Sequence, residues 1–542
     1  MEQPEPSSGK LKGLKVVSLL TLLSRITGLA RDGLMASLFG TGWILDAFTI
    51  AFRIPNMFRR LFGEGALTAA FLPEFVRVDE TEGRAAAVAL FSGVAGRMLR
   101  ILAAFVVGGE LLIASLYLVA EMSDRSMLLC ELSLILLPYL LLICMAGLYS
   151  AALNGVKHFV VPAVAPIVLN LIWLGGGLLA AKQLAAGDDE VRIISAVIVI
   201  GGMVQLSMVI YQGRKFGITL TGRSVEAAEN TTRVFRAMGP VLFGLSITQI
   251  NGLVDSLLAW GLSSGNLEGV DSMARFRLPI GTAGALYLGQ RLFQFPLGVF
   301  AVALGTVLFP RFAKHAQTGN HSELNKDVIH GLQLVLAGGI PASIGLWFMA
   351  APITDLLFRY GQFDAHAASM TKDMIAGYGL GVWVFSGLLI VNRVFYAAND
   401  QITPMRQGLI CVGLNLLFDF VLLPILGGPA LPIASVLATL FQLGLALEVL
   451  RKRFLSLGRE AFVPLLWRVC SATLLMNLTG LGVLYLTSQI DVSHDTFIYR
   501  AAKVFIPMTA AVVVYVGTLL ATGLSPKALL NEPFGITDSG DR

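Results

Sequence analysis

The chain has 542 residues, 55% of them apolar and only 14% charged, with a mean hydropathy of +0.74 and a formal charge of +5. A soluble chain of this length needs a skin of roughly 25% Asp, Glu, Lys and Arg, which this one lacks. A cytosolic enzyme, a disordered scaffold and a secreted disulfide module are excluded, and an all-α polytopic membrane protein remains.

In chain order, residues 1–13 form a polar tail. It is no signal peptide, because the apolar segment behind Lys10, Lys12 and Lys15 is too long for one. Fourteen mostly apolar windows long enough to span a bilayer follow, at about 14–38, 44–73, 92–120, 127–152, 159–181, 191–212, 235–262, 280–310, 327–350, 367–397, 404–426, 430–450, 463–486 and 499–522. Polar residues interrupt the second and the eighth. This predicts an N-lobe of six helices (14–222), a C-lobe of six (223–455), a last helix pair (456–525) and a second tail (526–542).

Alternate loops hold most of the Lys and Arg, among them Arg77, Arg84, Lys157, Arg214, Lys215, Arg451 and Lys452. The opposite loops hold few, including Arg125 and Arg192. By the positive-inside rule both termini are cytoplasmic, in agreement with an even helix count. With charge distributed in this way, a sequence pI near 9.0 is no argument for a nucleic-acid partner.

A faint internal repeat runs through the chain. Arg53 precedes Phe71-Leu72-Pro73-Glu74-Phe75-Val76-Arg77, and Arg291 precedes Leu308-Phe309-Pro310-Arg311-Phe312-Ala313-Lys314. Tyr149-Ser150-Ala151-Ala152-Leu153-Asn154 echoes Tyr396-Ala397-Ala398-Asn399. The offsets are 237 and 247 residues, which points to two parallel lobes related by an axis along the membrane normal.

Ionisable residues inside the windows carry the functional information, since each central Arg or Asp costs roughly 2.5–3.5 kcal/mol to insert. The first window holds Arg25, Arg31 and Asp32. Arg25 and Asp32 lie seven apart and share one face of an ideal helix. The second holds Asp46, Arg53, Pro55, Arg59 and Arg60, and Pro55 predicts a kink. The eighth holds Arg291, Gln294 and Pro296. Arg25, Arg31, Arg53 and Arg291 form a set of cations drawn from both lobes, and guanidinium forks onto phosphate oxygens. The competing structural reading pairs Arg25 with Asp32 and Arg31 with Asp46, leaving the rest to snorkel to the interface. Arg59 and Arg60 also fit ordinary anchoring near the cytoplasmic surface.

A second group is anionic: Asp255 on the seventh window, Asn415 and Asp419 at i, i+4 on the eleventh, and Ser435 and Thr439 on the twelfth. Two carboxylates with amide and hydroxyl oxygens supply the hard ligands a small cation prefers; a helix–helix hydrogen-bond network is the alternative. The four cysteines, Cys130, Cys144, Cys411 and Cys470, sit in apolar stretches without CxxC spacing and read as packing residues. No HExxH, phosphate-binding loop or nucleophile–base pair occurs. The chain therefore reads as a transporter and not an enzyme. Its work would draw on an ion gradient or the membrane potential, worth about 2.3 kcal/mol per charge per 100 mV.

At Ser24-Arg25-Ile26-Thr27-Gly28-Leu29-Ala30-Arg31-Asp32, Asp46-Ala47-Phe48, Pro55-Asn56, Arg59-Arg60 and Gly63-Glu64-Gly65-Ala66, the sequence resembles the MurJ (MviN) family of lipid II flippases. That family belongs to the multidrug/oligosaccharidyl-lipid/polysaccharide exporter superfamily. The likeness recurs at Arg291-Leu292 to Phe295-Pro296, Gly305-Thr306 with Pro310, and Phe395-Tyr396-Ala397 with Thr403-Pro404. It implies fourteen helices in two lobes, a central cavity with alternating access in the bacterial plasma membrane, and a lipid-tail groove at helices 13 and 14. It maps cavity arginines onto Arg25, Arg31, Arg53 or the Arg59/Arg60 pair, and Arg291, with a family acid at Asp46. Glu64 and Gln294 complete the candidate substrate-binding set; many members carry Glu where Gln294 stands. Sodium-binding members match at Asp255, Asn415 and Asp419, with Ser435 as a fourth ligand, so sodium is an optional cofactor and none is required. The implied partners are lipid II, membrane lipid and cell-wall synthesis enzymes. A flippase for another polyprenyl-diphosphate-linked polysaccharide, a cation-coupled drug exporter and a non-transporting scaffold are the other readings. A drug exporter would centre its cavity on carboxylates, and a scaffold would carry a folded soluble domain for which no loop is long enough.

Overall fold

The computed structural model describes residues 8–183, 187–220, 225–263, 271–453, 459–489, 496–531 and 533–534. These are helical almost throughout; the one bridge outside helices among them pairs Ser263 with Leu278. Two compact units divide at Gln249/Ile250.

The first unit contains α1 (Ser8–Phe39), α2 (Trp43–Phe58), α3 (Leu72–Thr81), α4 (Arg84–Val119), α5 (Asp124–Gly155), α6 (Val160–Gln183), α7 (Asp188–Lys215) and the first part of α8 (Val225–Gly261). Helix α5 is central and packs on α2, α4 and α7, while α1 packs on α6. The unit extends past the expected lobe boundary at 222/223 because the start of α8 is tied to it. Arg233 reaches Glu74 of α3 at 3.2 Å, and the Arg97 guanidinium lies 5.3 Å from the Phe235 ring.

The second unit contains α9 (Thr282–Pro296), α10 (Val302–Gln317), α11 (His321–Phe348), α12 (Ala350–Leu357), α13 (Ala365–Gly379), α14 (Val382–Ala397), α15 (Ile402–Leu426), α16 (Ala430–Arg453), α17 (Arg459–Ser488), α18 (Phe497–Ala521) and α19 (Pro526–Asn531). Helix α11 runs through it, packed on α10, α13, α14 and α17; α15 pairs with α16, and α17 with α18. Leu308, Phe312, Val335, Val391, Phe395 and Leu443 form part of its main core.

Among the described residues, eleven helices are long and apolar enough to cross a membrane, or twelve if α13 and α14, bent by 43° at a short break, form one span. The expected count was fourteen. The two windows outside this count, 14–38 and 44–73, are helical but carry several charges each. Large exposed apolar side chains along the spans, such as Leu111, Leu112, Ile425 and Val513, suit contact with acyl chains.

Proline breaks the same place in each unit. After Pro55 the α2 ladder widens into a π-helical stretch, Arg59–Phe71, before α3; after Pro296 a shorter one, Leu297–Ala301, leads into α10. A proline ring removes one backbone donor and crowds the carbonyl four residues back, and a wider i→i+5 turn relieves both. The second echo also has a structural counterpart. Helices α5 and α14 exit through non-glycine residues in the left-handed region, Lys157 (φ 62°) and Asn399 (φ 58°). Each exit is closed by a 6→1 hydrogen bond, His158 N to Leu153 O at 2.9 Å and Asp400 N to Phe395 O at 2.8 Å. Burial alone would raise the Asp400 carboxyl, but hydrogen bonds from Thr403 and Arg453 outweigh it and hold the group below its usual value.

Glycines set the closest helix contacts. A Cβ added at Gly289 of α9 would lie 2.7 Å from Met374 Cβ and 3.1 Å from its carbonyl carbon, so the α13 backbone must move. One added at Gly413 of α15 meets nothing within 4 Å. Gly289→Ala is therefore expected to destabilise the protein by about 1–3 kcal/mol through overpacking, while Gly413→Ala leaves stability unchanged or slightly raised. Thermal unfolding of the two purified variants in detergent checks this; equal melting temperatures would contradict it.

Candidate functional site

In the first unit the cations differ sharply in their surroundings. Arg25 is exposed on α1 and makes no hydrogen bond or ion pair among the described residues. Arg31, six residues later, is 5% exposed and fully engaged. Its Nε and Nη2 donate to Asp32 Oδ1 at 3.0 and 2.7 Å, and its Nη1 donates to Asn170 Oδ1 at 3.1 Å. The guanidinium also lies 4.2 Å from the Trp173 ring centre. Trp173 is held in place edge-on to Phe48 and Phe52 of α2. Asn170 turns its Nδ2 to Ser24 O and Thr27 Oγ1, both at 3.2 Å, so one amide ties α6 to the turn of α1 ahead of Arg31.

The two pairs offered by the structural reading of the sequence are not the ones formed. Asp32 binds Arg31, its chain neighbour, and not Arg25. Asp46, fully buried at the start of α2, stands 3.9 Å from Arg125 Nη2 at the start of α5, and not beside Arg31. Arg53, Arg59 and Arg60 are half-buried along the proline-broken helix, and Arg59 Nε donates to Asn56 Oδ1 at 3.1 Å. The backbone of Gly63–Ala66 belongs to the π-helical stretch, but the Glu64 side chain lies outside the described residues.

In the second unit Arg291 and Gln294 are half-buried on the last turns of α9, and the Arg291 guanidinium lies 5.7 Å from the Tyr287 ring. Deeper in the unit the acidic group converges. Asp255 of α8 and Asp419 of α15 are 1% and 0% exposed. The Asn415 amide bridges them, with Nδ2 at 2.7 Å from Asp255 Oδ1 and 3.2 Å from Asp419 Oδ2. Ser435 Oγ of α16 donates to Asp255 Oδ2 at 2.9 Å, and Asn251 Nδ2 sits 3.5 Å from the same hydroxyl. Thr439 bonds back to the Ser435 carbonyl at 2.7 Å.

The donor set fits a small hard cation on one further observation. Asn251 Oδ1, Asn415 Oδ1 and Asp419 Oδ1 are buried acceptor oxygens without a hydrogen bond. Buried acceptors are normally satisfied, and sodium is bound by such oxygens. Among the described residues no three His, Cys, Asp or Glu side chains gather as metal ligands.

With this geometry in place, comparison decides the family. The sequence profile of the family "MurJ: Lipid II flippase MurJ" matches residues 35–521. The chain belongs to the MurJ family. Its relatives include "Probable lipid II flippase MurJ" of Buchnera aphidicola subsp. Acyrthosiphon pisum, 29% identical across 91% of this chain and 94% of the relative. "Lipid II flippase MurJ" of Burkholderia cenocepacia is 30% identical across 82% and 84%. Among solved structures, "Lipid II flippase MurJ, inward closed conformation" superposes with a TM-score of 0.73 at 22% identity, covering 93% of this chain and 99% of that one. An inward-facing multidrug-resistance MATE transporter of the MOP superfamily reaches 0.62 at 13% identity, covering 81% and 97%. Both likenesses are of fold. The chain is thus a multi-pass membrane protein of a bacterial family of transporters.

Three polar participants in this MurJ-family chain escaped the sequence reading. Asn170 stood in an apolar window with no periodic signal. Arg125 looked like a loop charge. Arg393 of α14 donates from Nη1 to the Gly305 carbonyl at 2.9 Å, where a Cβ at 305 would come within 2.5 Å of Arg393 Nε; an arginine inside the tenth window was the available clue.

A buried ion pair is costly to break from one side only, by about 3–5 kcal/mol, because the remaining charge is left in low dielectric. Asp32→Asn is accordingly expected to lower the melting temperature markedly, and the double variant Arg31→Met, Asp32→Asn is expected to recover most of the loss. Thermal unfolding of the purified proteins checks this. A double variant no more stable than Asp32→Asn would contradict the assignment.

Proposed function

We propose that this protein translocates lipid II, the lipid-linked peptidoglycan precursor, from the cytoplasmic to the outer leaflet of the plasma membrane by alternating access. Family membership supports the substrate. The observation that carries the chemistry is the contrast on α1: Arg31 is locked by Asp32, Asn170 and Trp173, whereas Arg25 is exposed and makes no ion pair among the described residues.

Arg25 is the guanidinium available to fork onto a diphosphate, and charge-assisted bonds of this kind are about twice as strong as neutral ones. Arg53, Arg59, Arg60 and Glu64 stand on the proline-broken helix of the first unit, and Arg291 and Gln294 on α9 of the second; each set is a candidate for an anionic headgroup. Asp46 with Arg125 holds the start of α2 beside the start of α5, and Arg31 with Asp32 and Asn170 holds α1 against α6. Neutralising the headgroup charge lets it cross in a wet cavity while the polyprenyl tail stays in lipid, which avoids the prohibitive cost of moving an ion through hydrocarbon. Helices α17 and α18 supply the tail's groove. Both termini are cytoplasmic, on the Lys/Arg asymmetry of the loops.

Asp255, Asn415, Asp419 and Ser435 are the residues to hold sodium, which when bound supplies the positive charge that two adjacent carboxylates call for. Coupling to that ion, or to the membrane potential, drives the cycle.

Replacing Arg25 or Arg291 with Ala in a strain depleted of its own flippase is expected to abolish growth while the protein accumulates in the membrane at normal levels. Full growth supported by both variants would overturn the proposal.

A further inference from the structure

Beyond α18 the chain folds back into the second unit. Gly523 adopts a left-handed φ of 77°, and Leu524 N bonds to Leu519 O at 2.8 Å, closing α18 with a 6→1 turn. The short helix α19 and Phe534 then lie along α11 and α17. The His330 Nε2 atom is 2.7 Å from the Leu529 carbonyl, so that nitrogen carries the proton. The Gln333 amide brackets the peptide of Phe534: Nε2 donates to its carbonyl and Oε1 accepts its N–H, both at 2.8 Å. The Arg468 guanidinium of α17 lies 4.7 Å from the Phe534 ring. Leu524 and Leu529 are buried with Leu334 of α11, Leu465, Val469 and Ala472 of α17, and Leu519 of α18.

His330 and Gln333 are 3% and 0% exposed. Such groups sit in an apolar bundle only when their hydrogen bonds are met. Here the Leu529 carbonyl and the Phe534 peptide meet them. Gln333 engages both polar groups of one residue, as a neighbouring β-strand does, so the cleft reads backbone while Leu529 and Phe534 fix the register.

We infer that Leu524–Asn531 together with Pro533 and Phe534 form a strap, and that the cleft between α11 and α17, with His330, Gln333 and Arg468 as its hooks, is the strap's docking site. Bound there, the strap joins α11, α17 and α18 in one buried cluster and prevents the α17–α18 pair from parting from α11. It adds to the hydrogen bond from Tyr515 of α18 to the Ala337 carbonyl of α11 and to the packing of Phe348 of α11 against Met476 and Ala511. This holds whatever lipid the protein moves.

The test uses spin labels at Ser322→Cys on α11 and Trp467→Cys on α17, with Cys130, Cys144, Cys411 and Cys470 replaced by Ser, in the full chain in lipid nanodiscs. The strapped protein is expected to give one narrow distance distribution. Ending the chain after Ser525, or substituting Gln333→Leu, is expected to broaden it and move it to longer distances. In the Gln333→Leu protein the Phe534 amide is also expected to exchange with deuterium at least tenfold faster. Should the shortened chain not fold, Gln333→Leu decides alone. An unchanged distance distribution, or an equally protected Phe534 amide, in folded Gln333→Leu would overturn the inference. Neither readout involves lipid II, so failure here is distinct from failure of the transport proposal.

Discussion

A charge placed inside a bundle of apolar helices persists only where something near it compensates the loss of water. In the first unit the compensation is ionic. Arg31 spends its Nε and both terminal nitrogens on Asp32 and Asn170 and lays its face on Trp173. Asp46 at the start of α2 stands beside Arg125. These contacts fix the path of α1 against α6 and of α2 against α5, and so fix where the remaining arginines can reach. In the second unit the compensation is by hydrogen bonding. One asparagine amide spans two buried carboxylates, and three acceptor oxygens around it stay unmatched. In the first arrangement the Arg31 charge is matched by Asp32; in the second, Asn251, Asn415 and Asp419 each keep one buried acceptor oxygen without a hydrogen bond.

The proline-broken helices place two of the arginines ahead of widened turns. Arg53 precedes Pro55 and a π-helical stretch; Arg291 precedes Pro296 and another. Wide turns have weaker, less regular backbone bonds than an α-helix and are common at functional sites. An arginine six residues ahead of such a turn moves with any bend made there. This is a physical reason for the repeated order of arginine, proline and widened turn in both halves of the sequence.

The parts of the structure legible in the sequence are those that follow local period. The all-helical class, most spans and the two kinks follow from apolar windows and prolines. Asn415 and Asp419 were visible as a pair because four residues bring side chains onto one face. The echo of Tyr149–Asn154 in Tyr396–Asn399 marked two helix exits of the same geometry. Contacts across the chain were not legible. Arg31 finds Asn170 in another helix, and Arg125 finds Asp46 across the head of α5; both partners depend on packing that no short motif encodes. The first two windows read as spans because isolated charges do not end a helix; among the described residues both are helical, and each carries several charges. The segment after α18 read as a polar tail because its anchors are two leucines, one phenylalanine and backbone groups, with no periodicity to announce them.

The central claim is that guanidinium groups recognise the diphosphate of the carried lipid. The direct measurement is equilibrium binding to the purified full chain, in nanodiscs, of lipid II and of the same polyprenyl alcohol without diphosphate and sugars. Each hydrogen bond to a charged group contributes about 1.5–3 kcal/mol, so even one such bond predicts at least a roughly tenfold tighter Kd for lipid II. Equal affinity for the two lipids would show that the tail alone is recognised, and would contradict the account.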